Sequence, residues 1–140
     1  MNARPSAGGC PFCAIAEGQA PAVVVRRWPD ALAIAPLRPV TTAGHVLVLP
    51  IRHVADFTTD PEVSAAVMRR AAELAARPCN LIANVGPETS ASVEHLHLHV
   101  VPRRSGDGLV MPWDQPPGPA EDHLQPTITT IASSLSSRPC

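Results

Sequence analysis

The stretch Val93–Arg103, VEHLHLHVVPR, constrains this chain most. Leu96, Leu98 and Val100 are apolar at a spacing of two, with His95, His97 and His99 between and around them. That period belongs to a strand and not to a helix, and successive side chains on a strand point to opposite faces. The leucines therefore turn toward a core, and three imidazoles form a row on the other face. A polar strand face in solvent usually carries Thr, Ser, Lys or Glu. Here half of the chain's six histidines lie within five positions. At ~3.3 Å per residue the row spans about 13 Å from His95 to His99. One metal ion cannot collect all three without a bulge, whereas several contacts along a polyphosphate or nucleotide suit that length.

The rest of the chain supplies partners for such a strand. AVVVRRW (22–28) and ALAIAP (31–36) read as strands joined by a tight Pro-Asp turn, a hairpin. HVLVLP (45–50) is a third strand behind a loop punctuated by Pro39 and Gly44. DPEVSAAVMRRAAELAAR (60–77) is the main helix. Asp60 caps it, Pro61 suits its first position, and Val63, Val67, Ala71 and Leu74 share one face. NLIANVG (80–86) and EHLHLHVVP (94–102) complete five strands, and a short helix is expected near 126–136. Amphipathic strands in the order ββ-β-α-ββ predict an α+β fold, an antiparallel five-stranded sheet with one main helix. Residues 1–9 read as a flexible arm, 10–113 as one domain with Met111 and Trp113 as late anchors, and 114–140 as a Pro-rich tail.

Composition narrows the function. The 140 residues suffice for one domain with a real core, 45% of them are apolar and only 3% aromatic, so Val, Leu, Ile and Ala must build it. A net charge of −1 argues against a generally basic nucleic-acid binder. No apolar run approaches ~20 residues, so no membrane span is expected, and the start lacks the apolar middle of a secretory signal. A cytoplasmic protein is the expectation, with cysteines reduced and better suited to metal than to disulfides.

Cys10-Pro-Phe-Cys13 is the second chemical feature. A redox pair of this spacing would follow a strand and open a helix within a βαβ pattern, and no strand precedes it here. A zinc site needs two more ligands, for which His45, His53, His95, His97, His99 and His123 are the candidates; unliganded thiols are the third possibility. Gly44–His53, GHVLVLPIRH, is the third feature. If its strand pairs beside 94–102, His45 comes near the histidine row; otherwise His45 is a strand-end residue in solvent.

Taken together, His95-Leu-His97-Leu-His99-Val-Val, the Gly44–His53 segment, CPFC, Asn84-Val-Gly86, Ser92-Val93 and Val101-Pro-Arg103 resemble the histidine triad (HIT) superfamily, in particular its zinc-containing bacterial branch. The resemblance covers about residues 10–113. It implies a nucleotide hydrolase or nucleotidyl transferase that cleaves at an α-phosphate of a dinucleoside polyphosphate or nucleoside phosphoramidate. His97 matches the nucleophile, which forms a nucleotidyl-histidine intermediate that water then resolves. His99 and His45 match residues of the phosphate site, Ser92 a hydroxyl near the phosphates, and Asn84 a polar residue near the substrate. Cys10, Cys13, His53 and His95 match the ligands of a structural zinc. The resemblance also implies a homodimer whose sheet is extended across a two-fold axis. No organic cofactor is expected.

This chain departs from the family's pattern at two places. Ala91 stands where many members carry Gln, and Pro36 or Leu37 stands where many carry an Asp or Asn that holds the ribose. Two further readings differ in class. One is a nucleotide-binding or interaction module with weak or no catalysis. The other is a metalloenzyme with a catalytic metal on the HxHxH strand, for which Glu94 is the only nearby carboxylate.

Overall fold

Short runs rich in Val, Leu and Ile, bounded by Gly, Pro and Asp, pair into one antiparallel sheet. Its strands are β1 (Val24–Arg27), β2 (Ala31–Ile34), β3 (Val46–Pro50), β4 (Cys79–Ile82) and β5 (Leu98–Pro102), in the spatial order β1-β2-β3-β5-β4. The structure is a computed structural model that describes residues 9–36, 42–114 and 124–137. His123, Leu37, Pro39, nearly all of the arm and part of the tail lie outside the described residues.

The main helix, α2 (Pro61–Leu74), begins as its sequence requires. The Asp60 carboxylate accepts the backbone N–H groups of Glu62 and Val63, two donors that the first helical turn leaves unpaired. Val67 and Ala71, four residues apart, bury against the sheet. The helix stops three residues before the expected end. Ala75 is already extended, because Pro78 cannot continue a helix and the chain must reach β4 at Cys79. A second tie fixes α2 to the hairpin: the Trp28 indole N–H donates to Glu73 at 2.8 Å, with the Arg26 and Arg70 guanidiniums over its ring.

The sheet is covered on both faces, and this is where the amphipathic reading of the strands needs correction. Ala31, Ala33, Val48, Leu98 and Val100 face α2. Leu32, Ile34, Leu47 and Leu49 face a second cluster built by Phe12 and Ile15 of the six-residue helix α1 (Pro11–Ala16). All four residues of β2 are consequently buried. A one-faced sheet would leave every second residue wet; α1 removes that option.

Two strands are also shorter than their apolar runs. β5 starts at Leu98 and not near Glu94, because the Leu96 N–H donates to the Val54 carbonyl of the loop after β3, at 2.8 Å, and not to a neighbouring strand. β4 then ends at Ile82, opposite His99, since residues 83–86 have no strand left to pair with.

The chain divides into two compact units between Gly108 and Leu109. The second holds Met111, Trp113 and the helix α3 (Leu124–Ser136), close to the short helix expected there. Among the described residues no helix is long and apolar enough to cross a membrane.

Candidate functional site

The CPFC motif folds into the first turn of α1. Cys10 is the N-cap, its Sγ accepting the Cys13 N–H at 3.5 Å, and Pro11 takes the first helical position. One turn of helix thus puts both sulfurs on the same side. They face His53, in the loop beyond β3, and His95, just ahead of β5. Cys13 Sγ lies 3.3 Å from His53 Nδ1 and 3.4 Å from His95 Nδ1; Cys10 Sγ lies 3.4 Å from His95 Nδ1, and the two Nδ1 atoms are 3.2 Å apart. All four ligand atoms fall within 4.8 Å of one another. Bonds of about 2.0–2.3 Å to a tetrahedral ion place ligand atoms roughly 3.3–3.8 Å apart, so the cluster fits one metal ion.

The tautomer of His95 supports the same conclusion. Its Nε2 is 2.9 Å from the Pro50 carbonyl, which can only accept, so Nε2 carries the proton and the Nδ1 lone pair points into the cluster. His95 is fully buried, and burial pushes its pKa down to about 4; the imidazole is neutral at physiological pH, as a ligand must be.

The other histidines among the described residues, His45, His97 and His99, gather at one hollow. Pairing of Leu47 with His99 and of Val46 with Val100 places His45 beside His99, with His45 Nε2 and His99 Nδ1 3.0 Å apart. Gly44 delivers His45 to this point. Its φ is +88°, and an added Cβ would come within 3.2 Å of Pro102, so the turn requires glycine. The His97 ring packs at 5.1 Å from the His99 ring. His97 Nδ1 sits 2.7 Å from the backbone carbonyl of His95, so Nδ1 donates and Nε2 keeps its lone pair.

His45, His97 and His99 line a hollow of about 370 Å³. Phe12 and Ile15 of α1 form its apolar wall, Ile34 and Pro36 close the end of β2, and Ser92 stands at its rim. An apolar wall opposite a cluster of polar groups is the usual form of a small-molecule site. Burial, helped by repulsion from His97 and His45, holds the His99 pKa down at about 4, and burial also lowers that of His45. Each of these rings can present an N–H donor, which a phosphoryl oxygen can accept.

The structure separates the six sequence candidates for metal. It brings His53 and His95 to the cysteines and puts His45, His97 and His99 in the hollow, while His123 lies outside the described residues. Ser92 reaches the hollow. Asn84 lines a neighbouring one with Asp56 and Glu94; the two hollows share Val93. Sequence reasoning missed Phe12 and Ile15 as walls of the site. Their signal was present, apolar residues at i and i+3 beside two ligand cysteines, but nothing local says which face of the sheet they cover.

Comparison with known proteins agrees with this geometry. A family model described as the HIT domain matches residues 17–106. A HIT-like protein of Mycobacterium tuberculosis is 43% identical over 109 residues, 71% of this chain and 75% of the relative. The chain belongs to the histidine triad (HIT) family. A zinc-bound histidine triad family protein of Mycobacterium smegmatis superposes with a TM-score of 0.62 at 35% identity, covering 93% of this chain and 97% of that one. The adenosine 5'-monophosphoramidase of Schizosaccharomyces pombe is 27% identical over 135 residues, 92% of this chain and 97% of the relative.

The depressed pKa of His99 has a consequence for stability. Folded, His99 stays neutral down to about pH 4; unfolded, it takes up a proton below its ordinary 6.5. Between those values the unfolded chain binds more protons, so stability present above pH 6.5 is lost as the pH falls toward 4. Urea midpoints measured on metal-loaded protein from pH 7 to pH 4.5 are expected to decline, and His99→Asn to flatten that decline. Parallel declines in the two proteins would contradict the assignment.

Proposed function

We propose that this chain is a nucleotide hydrolase or nucleotidyl transferase that cleaves at an α-phosphate, with a nucleoside phosphoramidate or dinucleoside polyphosphate as substrate. The observation that carries the proposal is the bond from His97 Nδ1–H to the His95 carbonyl, which leaves Nε2 as the nitrogen free to act on the wall of the hollow. His97 Nε2 attacks the α-phosphorus, the P–N or P–O bond to the leaving group breaks with its electron pair going to that group, and the group takes up a proton from water. Water then attacks the nucleotidyl-histidine and releases a nucleoside monophosphate, restoring the imidazole. Splitting one displacement into two is what a good neutral nucleophile makes possible near pH 7. With His45 donating to His99, the second N–H of the pair is available to a phosphoryl oxygen, where positioned donors stabilise developing charge. The Ser92 hydroxyl serves the same phosphates from the rim, and Asn84, in the adjoining hollow, is a polar residue near the substrate. The adenosine 5'-monophosphoramidase of S. pombe is a relative with a phosphoramidate-cleaving name, which supports the reading.

Zinc is the metal we assign to Cys10, Cys13, His53 and His95, as the zinc-bound relative of M. smegmatis suggests. Four protein ligands close a tetrahedron, so the ion is structural and activates no water. Thiols kept reduced for metal fit a cytoplasmic protein. The chain is proposed to act as a homodimer paired through α2 and the edge strand β4, where Met68 and Leu81 are exposed apolar side chains with no neighbour strand beyond β4 among the described residues.

A second reading, a nucleotide-binding module with little catalysis, draws on Pro36. The β2 end of the hollow is apolar, where a carboxylate would bind ribose hydroxyls.

His97→Ala is expected to abolish turnover of adenosine 5'-phosphoramidate and leave AMP binding measurable by calorimetry. Retention of more than a few per cent of wild-type rate would remove His97 as nucleophile. Metal analysis should find one zinc per chain, and Cys13→Ser should lose metal and cooperative folding together, since a structural zinc contributes directly to folding; a metal-free wild-type protein whose melting zinc does not change would refute that assignment. Light scattering at micromolar concentration should report the mass of two chains, and a single-chain mass in the presence and absence of AMP would rule the dimer out.

A further inference from the structure

The metal cluster and the nucleophile are separated by one buried ring. Phe12 stands between Cys10 and Cys13 in sequence and is 9% exposed. Its ring meets His95 edge-on, with centroids 5.8 Å apart and planes at 84°, and meets His97 in the same manner at 5.1 Å and 74°. His97 also meets the His99 ring, at 5.1 Å and tilted by 62°. Both spacings lie within the range of about 4.5–7 Å that aromatic pairs prefer. The His97 imidazole is therefore in edge contact with two rings.

One hydrogen bond, Nδ1–H to the His95 carbonyl, sets which nitrogen of His97 is free. A single bond to a carbonyl does not by itself fix the ring's rotation, and a flipped or tilted ring would turn Nε2 away from the hollow. The neighbouring rings supply the missing restraint. Phe12 can serve in this way because its own backbone is immobilised at both flanks: Cys10 and Cys13 belong to the metal cluster, and Pro11 fixes the first turn between them.

We infer that Phe12 is a positioning residue for the nucleophile: its ring, held by the metal-binding turn of α1, packs edge-on against His97 so that Nδ1–H stays on the His95 carbonyl and Nε2 faces the hollow. The inference deepens the proposed phosphoryl chemistry and rests on it for its kinetic consequence, whereas its structural consequence is independent of any turnover. It also gives the metal cluster a part in the chemistry without contact with substrate. The turn that carries the ligands carries the clamp.

Phe12 lines the hollow as well, and the two roles separate in kinetics. Loss of a mere wall weakens binding of substrate and transition state alike and raises KM at constant kcat, whereas loss of alignment lowers kcat. The test uses full-length, zinc-loaded Phe12→Leu, with Phe12→Met as a second ring-free variant of similar bulk. Three quantities are measured: zinc content, kcat and KM for adenosine 5'-phosphoramidate, and the imidazole ¹⁵N–¹H spectrum of His97, assigned by comparison with His97→Ala. The expected result is full zinc, a kcat lowered at least about tenfold, and a His97 spectrum that changes from one Nδ1–H tautomer to a mixture. An unchanged kcat with a raised KM and an unchanged His97 spectrum would overturn the inference. Loss of zinc alongside activity in both variants would also overturn it, since Phe12 would then act on the metal cluster and not on His97. Should the wild-type protein show no turnover, the proposed reaction fails, and the spectrum alone decides: an unaltered His97 tautomer in Phe12→Leu sinks the positioning role.

Discussion

Three interactions meet at His95, and the site depends on them. Its Nε2–H donates to the Pro50 carbonyl at the end of β3, its Nδ1 faces the two cysteines and His53, and its own carbonyl accepts from His97. Each bond constrains the next. The first fixes the tautomer, the tautomer aims a lone pair at the cysteines and His53, and the carbonyl fixes which nitrogen of His97 donates. The imidazole that joins them is fully buried. A buried imidazole left without these partners would be expensive, so the three bonds tend to form or fail together.

The covering of both sheet faces follows from the same arrangement. A helix of six residues does not persist on its own, because isolated helices shorter than ~12–15 residues are marginal in water. α1 is held by its cysteines at one end of the histidine segment and by Phe12 and Ile15 against Leu32, Leu47 and Leu49. In return it closes the histidine face of the sheet and leaves a hollow where His45, His97 and His99 line the wall opposite its apolar side chains. Without α1 that face would be a wet strand surface with histidines on it, and burial would not depress the pKa values of His45 and His99.

The division of labour among the histidines explains how one short run supports two kinds of chemistry. His95 turns into the metal cluster, while His97 and His99 stay with His45 on the other side of Phe12. The 95–97 segment achieves this by leaving the sheet: Leu96 bonds to the loop at Val54, which frees the chain from strict strand alternation for two residues. The family match and the geometry agree on the class of protein. The end of β2 that lines the hollow, Ile34 to Pro36, is apolar, and it bears on what the hollow accepts.

The sequence by itself determined the antiparallel sheet with one capped helix, because both are written in local periods: two for the strands, and Asp60, Pro61 and the Val63–Leu74 face for the helix. It also placed the two ligand cysteines on one turn, and the histidine run with the Gly44–His53 segment pointed to the family. The lengths of β4 and β5 were not legible, since a strand lasts only as long as its partner does, and the partner of residues 95–97 is a loop. Nor were Phe12 and Ile15 legible as walls of the site, nor the departure of Asn84 to the adjoining hollow. Those are decided by which elements pack on which face of the sheet, a contact between residues some eighty positions apart for which no local spacing carries a signal.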